Sequence, residues 1–256
     1  MRATNTVKEK LAAGERVIGC FIPPASPEMV EICALAGFDF ALLDAEHGPI
    51  SPESAYPMIL AAEARGIPAF ARVGQIDKQV MLKFLDLGVT GVMVPQVAGV
   101  EQAAYAIAAT KYAPVGTRGL AGGRTFDYGL TEPAHDMVPQ LNQRVLTMIQ
   151  FEHVDLLAVL DDLLALEGLD VLFVGPNDLA QSLGLPGQPG HPEVTRVADE
   201  VVSRARAAGV RTGTVAPTVA SAANVFERGF DMAVANAPGL LASAARAYVE
   251  GVRGLG

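Results

Sequence analysis

Phe40-Ala-Leu-Leu-Asp44-Ala-Glu46-His47-Gly48-Pro49 is the stretch on which the fold turns. Its first half is an unbroken apolar run, as expected of a strand buried on both faces of a parallel sheet. Its second half changes abruptly to two carboxylates, an imidazole and a turn. Asp44 and Glu46 are two residues apart, so on an extended chain they point to the same face. Ionisable groups at the end of a buried strand cost desolvation and add nothing to packing. Chemistry is the simplest reason to place them there.

Seven further β-rich runs accompany this one, at 17–22, 68–73, 91–97, 146–152, 171–175, 211–216 and 231–235. Amphipathic helical patterns separate them, at 27–36, 52–65, 78–87, 100–111, 156–167, 192–208, 219–228 and 240–252, and residues 5–14 read as a short capped helix. Gly37, Gly66, Gly88, Gly168, Gly209 and Gly229 follow helices where a left-handed cap belongs. Eight strands alternating with helices predict an α/β fold, a closed (β/α)8 TIM barrel occupying residues 1–256 as a single domain. The competing doubly wound sheet lacks its G-x-G-x-x-G fingerprint after the first strand. Residues 113–132, rich in glycine and carrying Arg118 and Arg124, fit neither pattern. They read as a long loop, whose arginines hold an anion or a neighbouring subunit, or as a mobile surface segment.

The 256 residues are 50% hydrophobic and 18% charged, with a formal net charge of −9 and no basic run. That balance argues against nucleic acid or an anionic membrane surface as partner. No apolar stretch has the length of a membrane span, and Lys8, Glu9, Lys10 and Glu15 interrupt any signal-peptide core. Cys20 and Cys33 lack metal-type spacing and read as buried free thiols of a cytoplasmic protein.

In a barrel of this type the C-terminal strand ends line the active site. That set reads Asp44, Glu46 and His47, then Arg72, Gln96, Gln150 with Glu152, and the turn Gly175-Pro176-Asn177-Asp178. Glu152 and Asp178 follow consecutive strands. Two converging carboxylates repel unless a cation or a shared proton lies between them, and oxygen ligands suit Mg²⁺ or Mn²⁺. Ordinary strand-end acids facing water give the same pattern. Arg72 either stabilises an oxyanion or pairs structurally with Asp44 or Glu46. Asp86, an acid in the last turn of an apolar helix, opposes the helix dipole and calls for an imidazole or arginine partner. His135 and His191 read as surface residues, and His153 lies beside the strand-five acid.

Taken together, Asp44-Ala-Glu-His47-Gly-Pro, Arg72-Val73, Leu85-Asp86-Leu-Gly88, Val94-Pro95-Gln96, Pro114-Val-Gly116-Thr-Arg118-Gly119, Ile149-Gln150-Phe-Glu152 and Phe173-Val-Gly175-Pro-Asn-Asp178 resemble a known group. The chain is similar to the metal-dependent class II 2-keto-acid aldolases of the HpcH/HpaI aldolase/citrate lyase family. The resemblance implies a barrel whose last helix is exchanged between subunits, in a homohexamer. It implies a divalent metal (Mg²⁺, Mn²⁺ or Co²⁺) held by Glu152 and Asp178. Arg72 would hold the keto oxygen, His47 would be the base and Asp86 would orient it. Gln150, Gly175, Pro176 and Asn177 would bind the keto acid. Asp44 and Glu46 are left to hold metal-bound water or Arg72.

The activity so implied is a carbon–carbon lyase. It forms or cleaves 4-hydroxy-2-keto acids, with pyruvate or hydroxypyruvate as enolate donor and a short aldehyde as acceptor. An acyl-CoA lyase of the citrate-lyase β-subunit type and a non-catalytic metabolite-binding barrel are the alternatives. His153 after the acid, and Asn236-Ala-Pro238 at the last strand, depart from the family pattern near where the aldehyde end would sit.

Overall fold

Eight parallel strands close on themselves in sequential order: β1 (Val17–Ile22), β2 (Phe40–Asp44), β3 (Ala69–Arg72), β4 (Gly91–Val94), β5 (Leu146–Phe151), β6 (Val171–Val174), β7 (Arg211–Val215) and β8 (Met232–Asn236). The structure is a computed structural model and describes residues 5–255. The barrel expected from the alternating pattern is therefore the fold. The helices are α1 (Thr6–Ala12), α2 (Pro27–Leu35), α3 (Pro52–Ala64), α4 (Lys78–Leu87), α5 (Val100–Thr110), α6 (Ala134–Arg144), α7 (Leu160–Leu164), α8 (Pro176–Ser182), α9 (Pro192–Ala208), α10 (Val219–Glu227) and α11 (Ala237–Arg253).

Complementary volumes fill the barrel interior. Phe40 lies opposite Gly19, Phe70 opposite Gly91 and Phe173 opposite Gly213 in the strand registers. A Cβ on Gly19 would stand 2.1 Å from Cζ of Phe40, and one on Gly91 2.4 Å from Cδ1 of Phe70. Each ring thus occupies space that a side chain on the adjacent strand would need. The N-terminal end is plugged by α1, whose Val7 and Leu11 join the interior cluster. Asn5 ties this plug down, its Nδ2 donating to the carbonyls of Thr90 (2.9 Å) and Arg144 (3.0 Å). A second apolar layer packs the outer barrel wall against the helices and includes both free cysteines, Cys20 and Cys33.

Several strands end sooner than the sequence predicts. The run 40–46 stops at Asp44, 91–97 at Val94 and 146–152 at Phe151. In each case the polar residues just beyond leave the ladder and turn toward the barrel mouth. Residues 113–132 are also more ordered than a loop. They contain a 3-10 segment at Arg124–Gly129 and lead into α6, which the sequence reading missed. Arg118 and Arg124 pin this region within the chain. Arg118 pairs with Asp86 on α4 (2.8 Å), and Arg124 pairs with Glu63 on α3 while donating to the Leu87 carbonyl. The helix expected over 156–167 is a 3-10 segment (Val154–Val159) followed by the short α7.

The final helix is unlike the others. Of the 17 residues of α11 only Ala237 is buried, and Leu240, Leu241, Val249 and Val252 are exposed. Ile18 of β1 and Ile32 and Leu35 of α2 are exposed as well.

Candidate active site

The mouth of the barrel is assembled from the ends of β2, β3, β5 and β6. Asp44 and Arg72 are directly opposite each other in the β2–β3 register. Arg72 Nε donates to Asp44 Oδ1 at 2.9 Å and Nη2 to Oδ2 at 2.7 Å, a two-point fork. Nη1 lies 3.2 Å from Glu46 Oε2, and the guanidinium stacks over the Phe21 ring, 4.6 Å from its centroid. The cation is thus fixed on three sides by two acids and an aromatic face. Burial alone would raise the Asp44 carboxyl. The Arg72 hydrogen bonds and charge, with the backbone N–H groups of His47 and Glu46, outweigh it and hold the group below its ordinary range.

The same carboxylate shapes the turn that follows. Asp44 Oδ1 accepts from the N–H of Glu46 and of His47, both at 3.2 Å. Gly48 makes the fold-back sterically feasible, because a Cβ there would lie 2.4 Å from the carbonyl oxygens of Asp44 and Pro23. Glu46 is thereby aimed inward and His47 outward. The His47 side chain is 66% exposed, with Nε2 3.9 Å from Glu46 Oε2. Burial raises the Glu46 carboxyl above its ordinary value; Arg72 and His47 oppose that, and Asp44 and Asp178 add to it.

Across the mouth stands Glu152, 5% exposed. Its Oε2 accepts from the backbone N–H of Gln96 at 2.8 Å, and its Oε1 accepts from Nε2 of the buried Gln150. Gly175 forms the wall behind it. A Cβ there would come within 2.9 Å of Glu152 Cγ and 3.2 Å of Oε1. Asp178 sits in the first turn of α8, close enough that its charge raises both Glu152 and Glu46. Burial is the main cause that pushes Glu152 up to about 7; the Gln96 N–H opposes it, and Glu46 and Asp178 reinforce it.

These groups fit a divalent cation. Three carboxylates, Glu46, Glu152 and Asp178, press on one another electrostatically, with Arg72 as the counter-charge. Gln150 Oε1 is buried and makes no hydrogen bond. A positive ion would relieve both conditions. No group of three or more His, Cys, Asp or Glu among the described residues forms a closed metal cage. The donor set instead suits a hard cation held by one or two carboxylates that leaves positions open to substrate and water.

Asp44, Glu46, Arg72, Gln150, Glu152 and Asp178, expected at the site from the sequence, are gathered here, His47 lies at the rim with its side chain outward, and the helical Asp86 stands apart. Asp86, expected to orient His47, is held within its own chain by Arg118, which is buried and stacks on Tyr112 at 4.5 Å. Among the described residues no ion pair joins Asp86 to His47. An arginine is one of the two partners that its place in the helix predicts. His153 is exposed and caps the following 3-10 segment through Nδ1 (3.3 Å to the Asp155 N–H). His191 caps α9 in the same way, and His135 lies on the surface.

The sequence reading missed two contributors. Phe21 gives no polar signal, although its inward position on β1 follows from alternation with Gly19. Gln96 reads as a polar strand end, but its use of a backbone N–H has no side-chain signature.

The model of the HpcH/HpaI aldolase/citrate lyase family matches residues 17–242. The chain belongs to this family. Its relatives include a 5-keto-4-deoxy-D-glucarate aldolase of Enterobacter sp. (strain 638), 35% identical over 88% of this chain and 87% of the relative. A 2-keto-3-deoxy-L-rhamnonate aldolase of Escherichia coli O157:H7 is also 35% identical, over 85% of this chain and 82% of its own. A crystal structure of a family protein from Burkholderia cenocepacia J2315 superposes with a TM-score of 0.91 at 30% identity, covering 98% of this chain and all of the other. The family member described here is accordingly a carbon–carbon lyase of the aldolase type.

Proposed function

We propose that the protein is a divalent-metal-dependent aldolase acting on 4-hydroxy-2-keto acids. Pyruvate or hydroxypyruvate would be the enolate donor and a short aldehyde the acceptor. The observation that carries this reading is the opposition, across one mouth, of a fixed guanidinium (Arg72) and a buried, doubly hydrogen-bonded carboxylate (Glu152). Such a site places positive charge where an enolate oxygen develops. Glu152 and Asp178 would hold the metal, which is Mg²⁺, Mn²⁺ or Co²⁺ in this reading and supplies Lewis-acid polarisation of the substrate carbonyl when bound.

The chain's own residues then have separable tasks. Arg72, immobilised by Asp44 and Phe21, holds the keto oxygen and takes up the charge as the C3–C4 bond breaks. The pair C3–C4 supplies its electrons to the enolate, and the C4 hydroxyl becomes the aldehyde. His47, at the solvent rim of the mouth, takes the hydroxyl proton through a water in cleavage and returns it to the alkoxide by the same route in synthesis. Gln150, Gly175, Pro176 and Asn177 bind the keto acid. Glu46 and Asp44 keep Arg72 in register with it.

Two further assignments belong to the same reading. The exposed apolar residues of α11, with those of α2 and β1, support exchange of the last helix between subunits and a homohexamer. The partners are small molecules, and the compartment is the cytoplasm.

One experiment tests the proposal. The protein is incubated with pyruvate in D₂O, with each divalent metal and with EDTA, and methyl-proton exchange is followed by NMR. Metal-dependent exchange that disappears in Arg72→Ala is the expected result. Absence of exchange with every metal overturns the reading.

A further inference from the structure

Gln96 is one of three non-glycine residues among those described with positive φ, here 56°. It is also the only one of them that faces the barrel mouth. Long side chains seldom adopt this left-handed backbone, and when they do the surroundings impose it. The side chain does not explain it, because Gln96 is exposed and its side-chain amide makes no hydrogen bond to any of the described residues. Its neighbours explain how it is held. Pro95 and Val97 are both buried, so the kink is clamped from either side.

What the kink achieves is visible in the hydrogen bonds. β4 stays in register with β5 up to Val94, opposite Ile149. Two residues further on, the chain leaves the wall, and the Gln96 N–H swings inward to Glu152 Oε2 at 2.8 Å. The Gln150 amide holds the other oxygen, and Gly175 closes the third side. Both carboxylate oxygens are therefore pre-aimed before any ligand arrives.

We infer that Gln96 is a positioning residue that acts through its backbone. Its left-handed conformation orients Glu152 to receive the metal, and its side chain is dispensable for that task. The inference rests on the metal reading of Glu152 given above, but the geometry can be tested apart from it. Residues that orient metal ligands are typically worth 10–100-fold in metal affinity.

Three variants separate backbone from side chain. Gln96→Gly and Gln96→Asn keep both the N–H and easy access to positive φ. Gln96→Val keeps the N–H but strongly disfavours that conformation. Crystal structures of the metal-free variants report the Glu152 carboxylate position, Mn²⁺ titration calorimetry reports affinity, and steady-state kinetics separate KM for metal from kcat. The expected result is that Gly and Asn variants keep the carboxylate in place and bind Mn²⁺ within about threefold of the parent. The Val variant should lose the bond to Oε2 and bind about tenfold or more weakly.

Equal Mn²⁺ affinity and an unmoved carboxylate in Gln96→Val overturn the inference. So does a loss in Gln96→Gly as large as that in Gln96→Val, which would put the role in the side chain. If Gln96→Val does not fold, Gln96→Ala, with a smaller conformational bias, replaces it under the same criteria. Failure of the parent protein to bind Mn²⁺ overturns the metal reading instead, and the carboxylate positions still decide the part played by Gln96.

Discussion

Arg72 and Asp44 form a two-point ion pair between neighbouring strands, with contacts of 2.9 and 2.7 Å, and both side chains are largely withdrawn from solvent. Its geometry follows from the strand register, which sets the two residues opposite each other at the barrel mouth. The pair fixes a planar cation, which Glu46 at Nη1 and the Phe21 ring against its face hold in the same place. Arg72→Ala removes that pre-oriented charge. Loss of one such donor typically costs about 3–4 kcal/mol of transition-state stabilisation, so kcat for aldol cleavage should fall about a hundredfold or more. Arg72→Lys should recover little, because a point charge cannot reproduce the fork. Kinetics that move only KM in both variants would remove Arg72 from the chemistry.

The same pair has a signature in acid. The Asp44 carboxyl titrates below its ordinary value in the folded chain. The folded state therefore binds fewer protons than the unfolded state as that range is crossed. The stabilisation is fully present above the ordinary carboxylate value of about 4 and is lost as pH falls through the lower, folded value. Asp44→Asn should flatten this part of the stability–pH curve. It should also cost about 3 kcal/mol near neutrality, since Arg72 loses its two-point partner while staying buried. Urea unfolding of both proteins between about pH 2 and 7 measures the two effects, and parallel curves would contradict the assignment.

Gly175 separates function from stability. A methyl group there meets Glu152 Cγ at 2.9 Å and Oε1 at 3.2 Å, both atoms of a side chain that can swing away. Gly175→Ala should therefore fold with little change in Tm. The carboxylate, however, must leave its two hydrogen-bond donors, and divalent-metal affinity should drop about tenfold or more. Thermal unfolding without metal, set beside Mn²⁺ titration, distinguishes this from a general loss of folding. Unchanged affinity would show that Glu152 accommodates the methyl group without cost to the site.

How much of this was legible beforehand depends on which atoms carry the information. The barrel followed from side-chain periodicity, and the acids, amide and arginine at its mouth followed from polar residues ending apolar runs. Gln96 is legible as a polar strand end, but its left-handed turn is not, because glutamine is not a residue that seeks positive φ. Its conformation is imposed by the burial of Pro95 and Val97. Helix α6 was hidden by Pro133, Pro139 and the glycine-rich approach, although Met137 and Leu141 stand four residues apart and pack with Tyr112 and Phe126. Asp86 shows a different limit. Its place at the end of α4 called for a cationic partner, but only the folded chain brings Arg118 to it across 32 positions.

Lys111 offers a test of the scaffold that does not involve the active site. It is 6% exposed and donates from Nζ to the carbonyls of Asn142 and Val145, at the end of α6. Burial is the main reason its amine is pushed down to about 8; Lys8 and Arg118 act in the same direction and Asp170 opposes them. Below pH 8 the amine is charged in both folded and unfolded chains, so the penalty for burying it is constant. Between about pH 8 and the ordinary lysine value near 10.4 the folded chain releases its proton first. The unfolded state then binds more protons, and stability rises with pH, by about 3 kcal/mol over the whole window. Lys111→Met keeps most of the side-chain volume and removes the titration. The stability difference between the parent and Lys111→Met should therefore grow in favour of the parent from pH 8 to pH 10.5, while tyrosines, cysteines and lysines remote from Lys111 cancel in the comparison. A difference that stays flat across that window would mean that the two carbonyls keep the amine protonated in the fold, and that it serves as a charged cap on the C-terminus of α6.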